Sequence, residues 1–394
     1  MPFRECSIVD DREEFCRLAL APGTNVRELC RRWRIGSATA YLWLGRYARV
    51  GREGLGDRSR KPLSSPHRSS SDVEEKVLAV RAEHPAWGGR KIRRVLTNAG
   101  MAAAPAASTI TQILRRHGKL AGPRAGQARD FVRFEHAAPN DLWQMDFKGH
   151  FALARGRCHA LTVLDDHSRY SLEIGACANE RGTTVQARLE AVFERYGLPL
   201  RILADNGSPW GTAGSDQKHT PLTVWLLDLD VGVGHGRPHH PQTQGKDERF
   251  HRTLKAEVLD GVLLADLQAA QRAFDIWREV YNCRRPHEAL DMETPASRFA
   301  VSPRRKPEVI EPPAYEPQAH VRKVDPGGWI SFKGRVVNCP KAFAGRRLAL
   351  RATNTDGVFD LCYRRHVLSQ VDLRENIVKT VRHVPEHPLG LTPV

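Results

Sequence analysis

The spacing of apolar residues divides the chain into stretches of helical period and stretches of strand period. In VRELCRRW, Val26, Leu29, Cys30 and Trp33 fall on one helical face, with Thr24 placed to cap it. Ile35-Gly36 reads as a tight turn, and Ser37 as the cap of a second helix running through Tyr47. Two short helices about a glycine turn predict a helix-turn-helix, whose second helix presents Ser37, Thr39, Trp43 and Arg46 outward. Helical periods return in DVEEKVLAVRAEHP, in GGRKIRRVLTNAG and in STITQILRRHG, where Ser108 is the expected cap. From Asn140 the pattern changes. NDLWQMDFKGHF alternates, CHALTVLDDHSRY ends an apolar run in acids, TTVQARLEAVFERYG is helical and LRILADNG is a short buried strand. TPLTVWLLDL, a brief VGVGH strand and long helices from Gln244 through Asn282 follow, which predicts a mixed sheet covered by helices. Beyond residue 318, short alternating runs with Gly and Asn turns predict a small β-barrel-like module.

Three stretches interrupt these patterns: Arg58 to Ser71, Leu120 to Arg129, and the proline-dense Ser302 to Pro317. Each reads as a linker, because Pro and Gly oppose regular structure and little there is available for burial. The expected organisation is a helix-turn-helix domain at 1–57, a second helical domain at 72–119, an α/β core at 136–300 and the small β module at 318–394.

Charge narrows the partner. The 394 residues carry a formal net charge of +16, on an ordinary globular background of 41% apolar and 27% charged residues. Between Arg81 and Arg133 eleven basic residues face only Glu83 and Asp130, an imbalance that a mixed-sign solvated helix face does not produce. It points to a polyanion, double-stranded DNA above all, with Arg90, Lys91 and Arg94 as expected contacts. No apolar run suits a membrane span and the start MPFRECSIVDDREEF does not suit a signal peptide, so a cytoplasmic, nucleoid-associated protein is expected. The eight cysteines include no CxxC pair and read as small buried thiols. No GxxxxGK[ST] loop is present, so ATP use is not expected.

Three acids stand at the ends of core elements. On the strand LWQMDFK, alternation puts Leu142, Gln144, Asp146 and Lys148 on one face and Trp143, Met145 and Phe147 on the other. Asp205 leaves a buried strand at its C-terminal edge, where open α/β sheets hold their ligands. Glu248 lies near the start of a helix whose Arg252 and Lys255, at i+4 and i+7, share its face. Gly245 and Lys246 add a helix N-terminus suited to an anion. Two aspartates and a glutamate brought together are suited to two Mg²⁺ ions, with Mn²⁺ as a substitute, and to phosphodiester chemistry without a side-chain nucleophile. Taken singly, each acid is equally a turn or a helix-dipole residue. Asp165 and Asp166 in LDDHSRY read as a turn with Ser168, and His239 and His240 as a loop along a DNA path.

The blocks NDLWQMDFKGHF, LADNGSPW and HPQTQGKDERFHRTLK resemble the three acidic blocks of the integrase-core, or DDE, transposases of bacterial insertion sequences, relatives of retroviral integrase. GLGDRSRKP, HPAWGGRKI and YNCRRPHEALDMETPASRF extend the resemblance on both sides. It implies a ribonuclease-H-like core in the single-reading-frame branch, with Asp146, Asp205 and Glu248 as catalytic and metal-binding triad. It also implies that Lys255, Arg252 and His251 meet DNA, that a homodimer or larger assembly forms on DNA, and that the chain cuts and joins element ends. The chain departs from the pattern at Gln244, at Asp247 (where an apolar residue is commoner) and at Ala204, and its interval from Asp205 to Glu248 is longer than in retroviral-type relatives. Asp247 is expected to point about 100° away from Glu248 around the helix. The rival readings are a DNA-binding regulator that has lost catalysis and a structure-selective nuclease on the same core.

Overall fold

The computed structural model describes residues 7–58, 68–120, 135–211, 219–235 and 245–374. The chain divides into two compact units, Met1–Arg68 and Ser69–Val394.

In the first unit α1 (Ile8–Ala19) starts from a capping box in which Ser7 and Asp10 satisfy each other's backbone donors. α2 (Val26–Trp33) and α3 (Ser37–Val50) form the expected helix-turn-helix, with Arg34 in the left-handed region at the turn. Asn25, rather than Thr24, caps α2, accepting from the amides of Arg27 and Glu28. Gly36 stands at the N-cap of α3, so Ser37 already belongs to the helix. Ser37 and Thr39 are exposed and Arg46 is half-buried. Trp43 departs from expectation: it turns inward, edge-on to Phe15 at 6.1 Å and under the Arg12 guanidinium. A small core needs that ring more than a groove-facing surface does.

The second unit opens with α4 (Ser71–Glu83), α5 (Gly89–Asn98) and α6 (Ala107–Arg116), packed around Val77, Trp87, Ile92, Leu96, Ile110 and Leu114. Ser108 lies inside α6, whose N-cap is Ala106. Gly89 lets α5 meet α6 closely, since a Cβ there would stand 2.3 Å from the Ala107 carbonyl. Gly89→Ala is therefore expected to cost about 1–3 kcal/mol by forcing the helices apart, read as a lowered midpoint in thermal unfolding.

The core sheet has strand order β3-β2-β1-β4-β5, formed by β1 (Leu142–Ala152), β2 (Arg157–Asp165), β3 (Ser171–Cys177), β4 (Arg201–Ala204) and β5 (Gly232–His235). The first three pair antiparallel, while β4 runs parallel to β1 and β5 parallel to β4. α7 (Gly182–Tyr196) and α8 (Pro221–Asp228) cover the face carrying Trp143 and Met145. α9 (Gly245–Leu254) and α10 (Leu267–Cys283) cover the other through Phe250, Leu254, Phe274 and Trp277. This is the ribonuclease-H-like arrangement expected. The first four residues of β1 are all buried because both faces are covered there, and the strand becomes exposed toward its end.

Residues 302–316 lack regular structure as expected, yet they are fastened to the core: Ser302 is buried and Arg304 donates to the carbonyls of Pro199 and Asp230. The C-terminal module pairs β6 (His320–Lys323), β9 (Arg347–Ala352), β10 (Val358–Tyr363) and β11 (His366–Asp372) in one antiparallel sheet, beside the hairpin of β7 (Trp329–Phe332) and β8 (Arg335–Asn338). Its apolar interior is continuous with Val224 and Leu227 of α8, and buried Asp228 accepts from Tyr363 Oη and Arg346. Cys283 is exposed, against expectation, while Cys16, Cys30, Cys158, Cys177, Cys339 and Cys362 are buried; Cys6 lies outside the described residues. So do most of the first two linkers, and His239 and His240.

Candidate active site

The parallel pairing of β1 with β4 decides the geometry. Leu142, Trp143 and Gln144 stand opposite Arg201, Ile202 and Leu203, and two further steps of that register set Asp146 beside Asp205. Asp205 Oδ1 accepts the Gly207 amide at 3.0 Å, which turns the chain sharply after β4. Trp210 anchors that loop from below, stacked on Phe147 at 5.8 Å between ring centres. Burial, and then the negative charge of Asp205, push the Asp146 carboxyl up to about 7. Burial also raises Asp205, against the Gly207 amide that lowers it. The charge of Glu180, before α7, bears on both aspartates, and His159 Nδ1 holds its Oε1 at 2.8 Å. Sequence reading missed Glu180, because nothing in GACANERG distinguishes a site acid from a loop acid.

The acids of α9 do not lie as expected. Glu248 is exposed, and Asp247 is the carboxylate turned inward, 2% exposed, with its Oδ1 lacking a hydrogen-bond partner among the described residues. Burial and then Asp146 and Asp166 hold the Asp247 carboxyl well above its ordinary range. Phe250 and Leu254 drive this orientation, since burying them against α10 carries position 247 inward too. Among the described residues no three His, Cys, Asp or Glu side chains gather as a metal-holding group. The structure thus brings Asp146 and Asp205 together and leaves Glu248 apart at the surface.

His251 and Lys246, expected as DNA contacts, also face inward. His251 Nε2 lies 2.8 Å from Thr162 Oγ1, and its Nδ1 is 4.0 Å from Asp146 Oδ2. Burial and then Lys148 push its imidazole down to about 4, so it stands neutral behind Asp146 at neutral pH. Lys246 is bound to Asp166, whose carboxyl stays below its ordinary value because Lys246 and Arg169 outweigh the burial that would raise it. Arg252 and Lys255 are exposed as expected, and Lys255 lies near enough to Lys148 to lower its ammonium, after burial. Lys148 and Lys255 thus lie close to one another, and the charge of Lys148 also reaches His251.

The basic face of α5 is shared between protein and solvent: Lys91 and Arg94 are half-buried, while Arg90 and Arg93 are exposed. Arg90 pairs with Glu288 at 3.3 Å, Arg94 pairs with Glu293, and burial pushes the Lys91 ammonium down to about 8. Lys76, Arg90, Arg93, Arg115, Arg116 and Lys119 are the exposed cations of this helical group. In the same 284–293 segment His287 packs edge-on to Tyr281, and burial followed by Arg285 and Lys91 pushes it down to about 2. Folded His287 cannot take the proton that an unfolded histidine binds near pH 6.5. Its contribution to stability is therefore full above that value and is lost as pH falls through it, by about 2 kcal/mol between pH 7 and pH 5. His287→Gln is expected to flatten the melting temperature over that interval relative to the unsubstituted chain.

Residues 136–241 and 229–295 match two family models each described as an integrase core domain. Residues 319–379 match the C-terminal domain of IS481 family transposases, and residues 39–114 a homeodomain-like domain. The chain is 44% identical over 141 residues to an IS136 insertion element protein of Agrobacterium fabrum, across 34% of this chain and 69% of the relative. It is 27% identical over 243 residues to a 31.7 kDa protein of insertion element IS407 from Burkholderia multivorans, across 59% of this chain and 84% of that one. A solved chain of the simian T-cell lymphotropic virus intasome overlays with a TM-score of 0.37 at 16% identity, covering 73% of this chain and 96% of its own.

Proposed function

We propose that this chain, which belongs to the integrase-core transposases of bacterial insertion elements, binds the terminal inverted repeats of its element, hydrolyses one phosphodiester at each end and joins the freed 3′-hydroxyl to target DNA. Transposition is the function of that family; the individual steps are our reading. The observation that carries it is the half-buried pair of Asp146, within β1, and Asp205, directly after the adjacent parallel strand β4. No Lys or Arg forms an ion pair with either carboxylate among the described residues. Two hard oxygen donors left to repel one another fit a divalent cation, Mg²⁺ above all. When bound, such a cation supplies charge neutralisation and Lewis acidity toward a phosphoryl oxygen.

The chain's own residues do the remainder. Asp146 and Asp205 would hold such a cation, and Glu248, on the exposed side of α9, would be the third ligand. Trp210 and Phe147 exclude water from below the pair, and neutral His251 closes the side toward β2. Arg252 and Lys255 hold terminal phosphates against the acids. Ser37 and Thr39 on α3, with Arg93 and Arg115 on the second helical group, read and grip the duplex. Two ends require two such sites, so the acting species is a dimer or larger on DNA. No helix among the described residues is long and apolar enough to cross a membrane, and we place the activity on DNA in the cytoplasm.

The test is a labelled duplex bearing the element's terminal sequence, incubated with the full chain and Mg²⁺ beside a target plasmid. Strand cleavage at the end and covalent joining to the plasmid are expected. Tight binding without either product is the outcome for a regulator and would overturn the catalytic reading.

A further inference from the structure

We infer that Asp166 is a positioning residue for this reaction, tying the strand that carries Asp146 to the helix that carries Glu248. The inference rests on the function proposed above.

Asp166 is 2% exposed, and its neighbour already makes the turn. Asp165 accepts the Ser168 amide and hydroxyl and the Asn140 amide, which leaves the side chain of Asp166 unneeded there. Among the described residues, every bond to the Asp166 carboxylate comes instead from far along the chain. Gln144 Nε2 donates to Oδ1 at 2.6 Å across 22 residues, the His136 amide to Oδ2 at 2.9 Å across 30, and Lys246 Nζ to Oδ1 across 80. Lys246 also donates to the Asp166 carbonyl at 3.2 Å, where Arg169 donates at 2.8 Å.

The places of two of these donors give the carboxylate its meaning. Gln144 lies two residues before Asp146 on β1, and in a strand those two side chains share a face. Lys246 lies two residues before Glu248 in the first turn of α9. One buried carboxylate therefore sets the separation of two elements that each carry an acid of the site. A buried ion pair is weak as a source of net stability, because desolvation offsets its attraction, but it is directional and fixes register where an apolar contact slides. Groups that orient metal-binding carboxylates typically alter affinity or rate by about 10- to 100-fold when removed.

Asp166→Asn alone strands the Lys246 charge in the interior and is expected to fold poorly. The informative variant is Asp166→Asn with Lys246→Met, which removes both charges at similar volume. Four quantities are measured: the melting temperature, affinity for the duplex end, the MnCl₂ concentration giving half the maximal rise in melting temperature, and the single-turnover cleavage rate. Expected are a near-native melting temperature and duplex affinity, with half-saturation by Mn²⁺ raised and cleavage slowed, each by about 10- to 100-fold. Native Mn²⁺ response and native cleavage would overturn the inference. So would losses that merely track a fall in melting temperature, since the pair would then only hold the fold. Asp146→Asn is run alongside: if it cleaves as the unsubstituted chain does, the proposed function itself fails. If it is inert while the double variant is native, Asp166 alone has been misassigned.

Discussion

Asp146→Asn is expected to lower end cleavage by at least about 10³-fold while leaving duplex binding within a few-fold of the unsubstituted chain. The substitution keeps the size of the side chain and removes the charge that burial and Asp205 already disfavour. Folded Asp146 binds its proton more tightly than an unfolded aspartate does, so its ionisation subtracts stability as pH rises from the ordinary carboxylate range toward about 7. In the absence of divalent cation Asp146→Asn should therefore melt no lower than the unsubstituted chain at pH 7. A variant that is as stable as its parent and inert is what a functional site produces, because there the repulsion is retained for binding rather than for folding. Undiminished cleavage would remove the catalytic assignment. Glu248→Gln and Asp247→Asn decide which acid of α9 takes part: the first is expected to be inert and the second to cleave, and the reverse result would transfer the role to Asp247.

Asp247→Val is expected to stabilise the chain by roughly 2–4 kcal/mol at neutral pH. The carboxyl is 2% exposed and one of its oxygens lacks a partner among the described residues, so a group that water would solvate lies in the interior instead. Its folded pKa stands well above the unfolded value, owing first to burial and then to Asp146 and Asp166. Stability is thus greatest where both states are protonated, below about pH 4, and declines as pH rises above that point toward the folded value. Valine removes that dependence and fills the volume with methyl groups against Phe250 and its neighbours. Melting curves across pH, compared between the two proteins, read the effect directly; a lower melting temperature at pH 7 would show that Asp247 is held by favourable interactions after all.

The orientation of α9 shows where sequence reasoning reaches its limit. Motif spacing marks Glu248, and the helical period correctly separates it from Asp247 by a rotation of about 100°. It does not say which of the two the core will take in. Phe250 and Leu254 answer that, because their burial against α10 outweighs the cost of one trapped carboxyl. Lys246, His251, Arg90 and Arg94 were legible as cations beside a DNA-binding surface. Their partners are Asp166, Thr162, Glu288 and Glu293, which lie far away along the chain. Trp43 belongs with them, as an aromatic ring that a small core recruits.

By itself the sequence determined the succession of helical and α/β segments, the breaks between them, the basic excess and the association of the two aspartates with core strands, all of which follow from local periodicity and composition. Only the tertiary structure decided that β4 runs parallel beside β1 and sets Asp205 next to Asp146, that Asp247 is enclosed while Glu248 meets solvent, and that Asp166 joins the two elements. The physical reason is common to all three. Strand order, burial and buried ion pairing are set by contacts between segments distant in sequence, and no local pattern encodes which distant partner a side chain will meet.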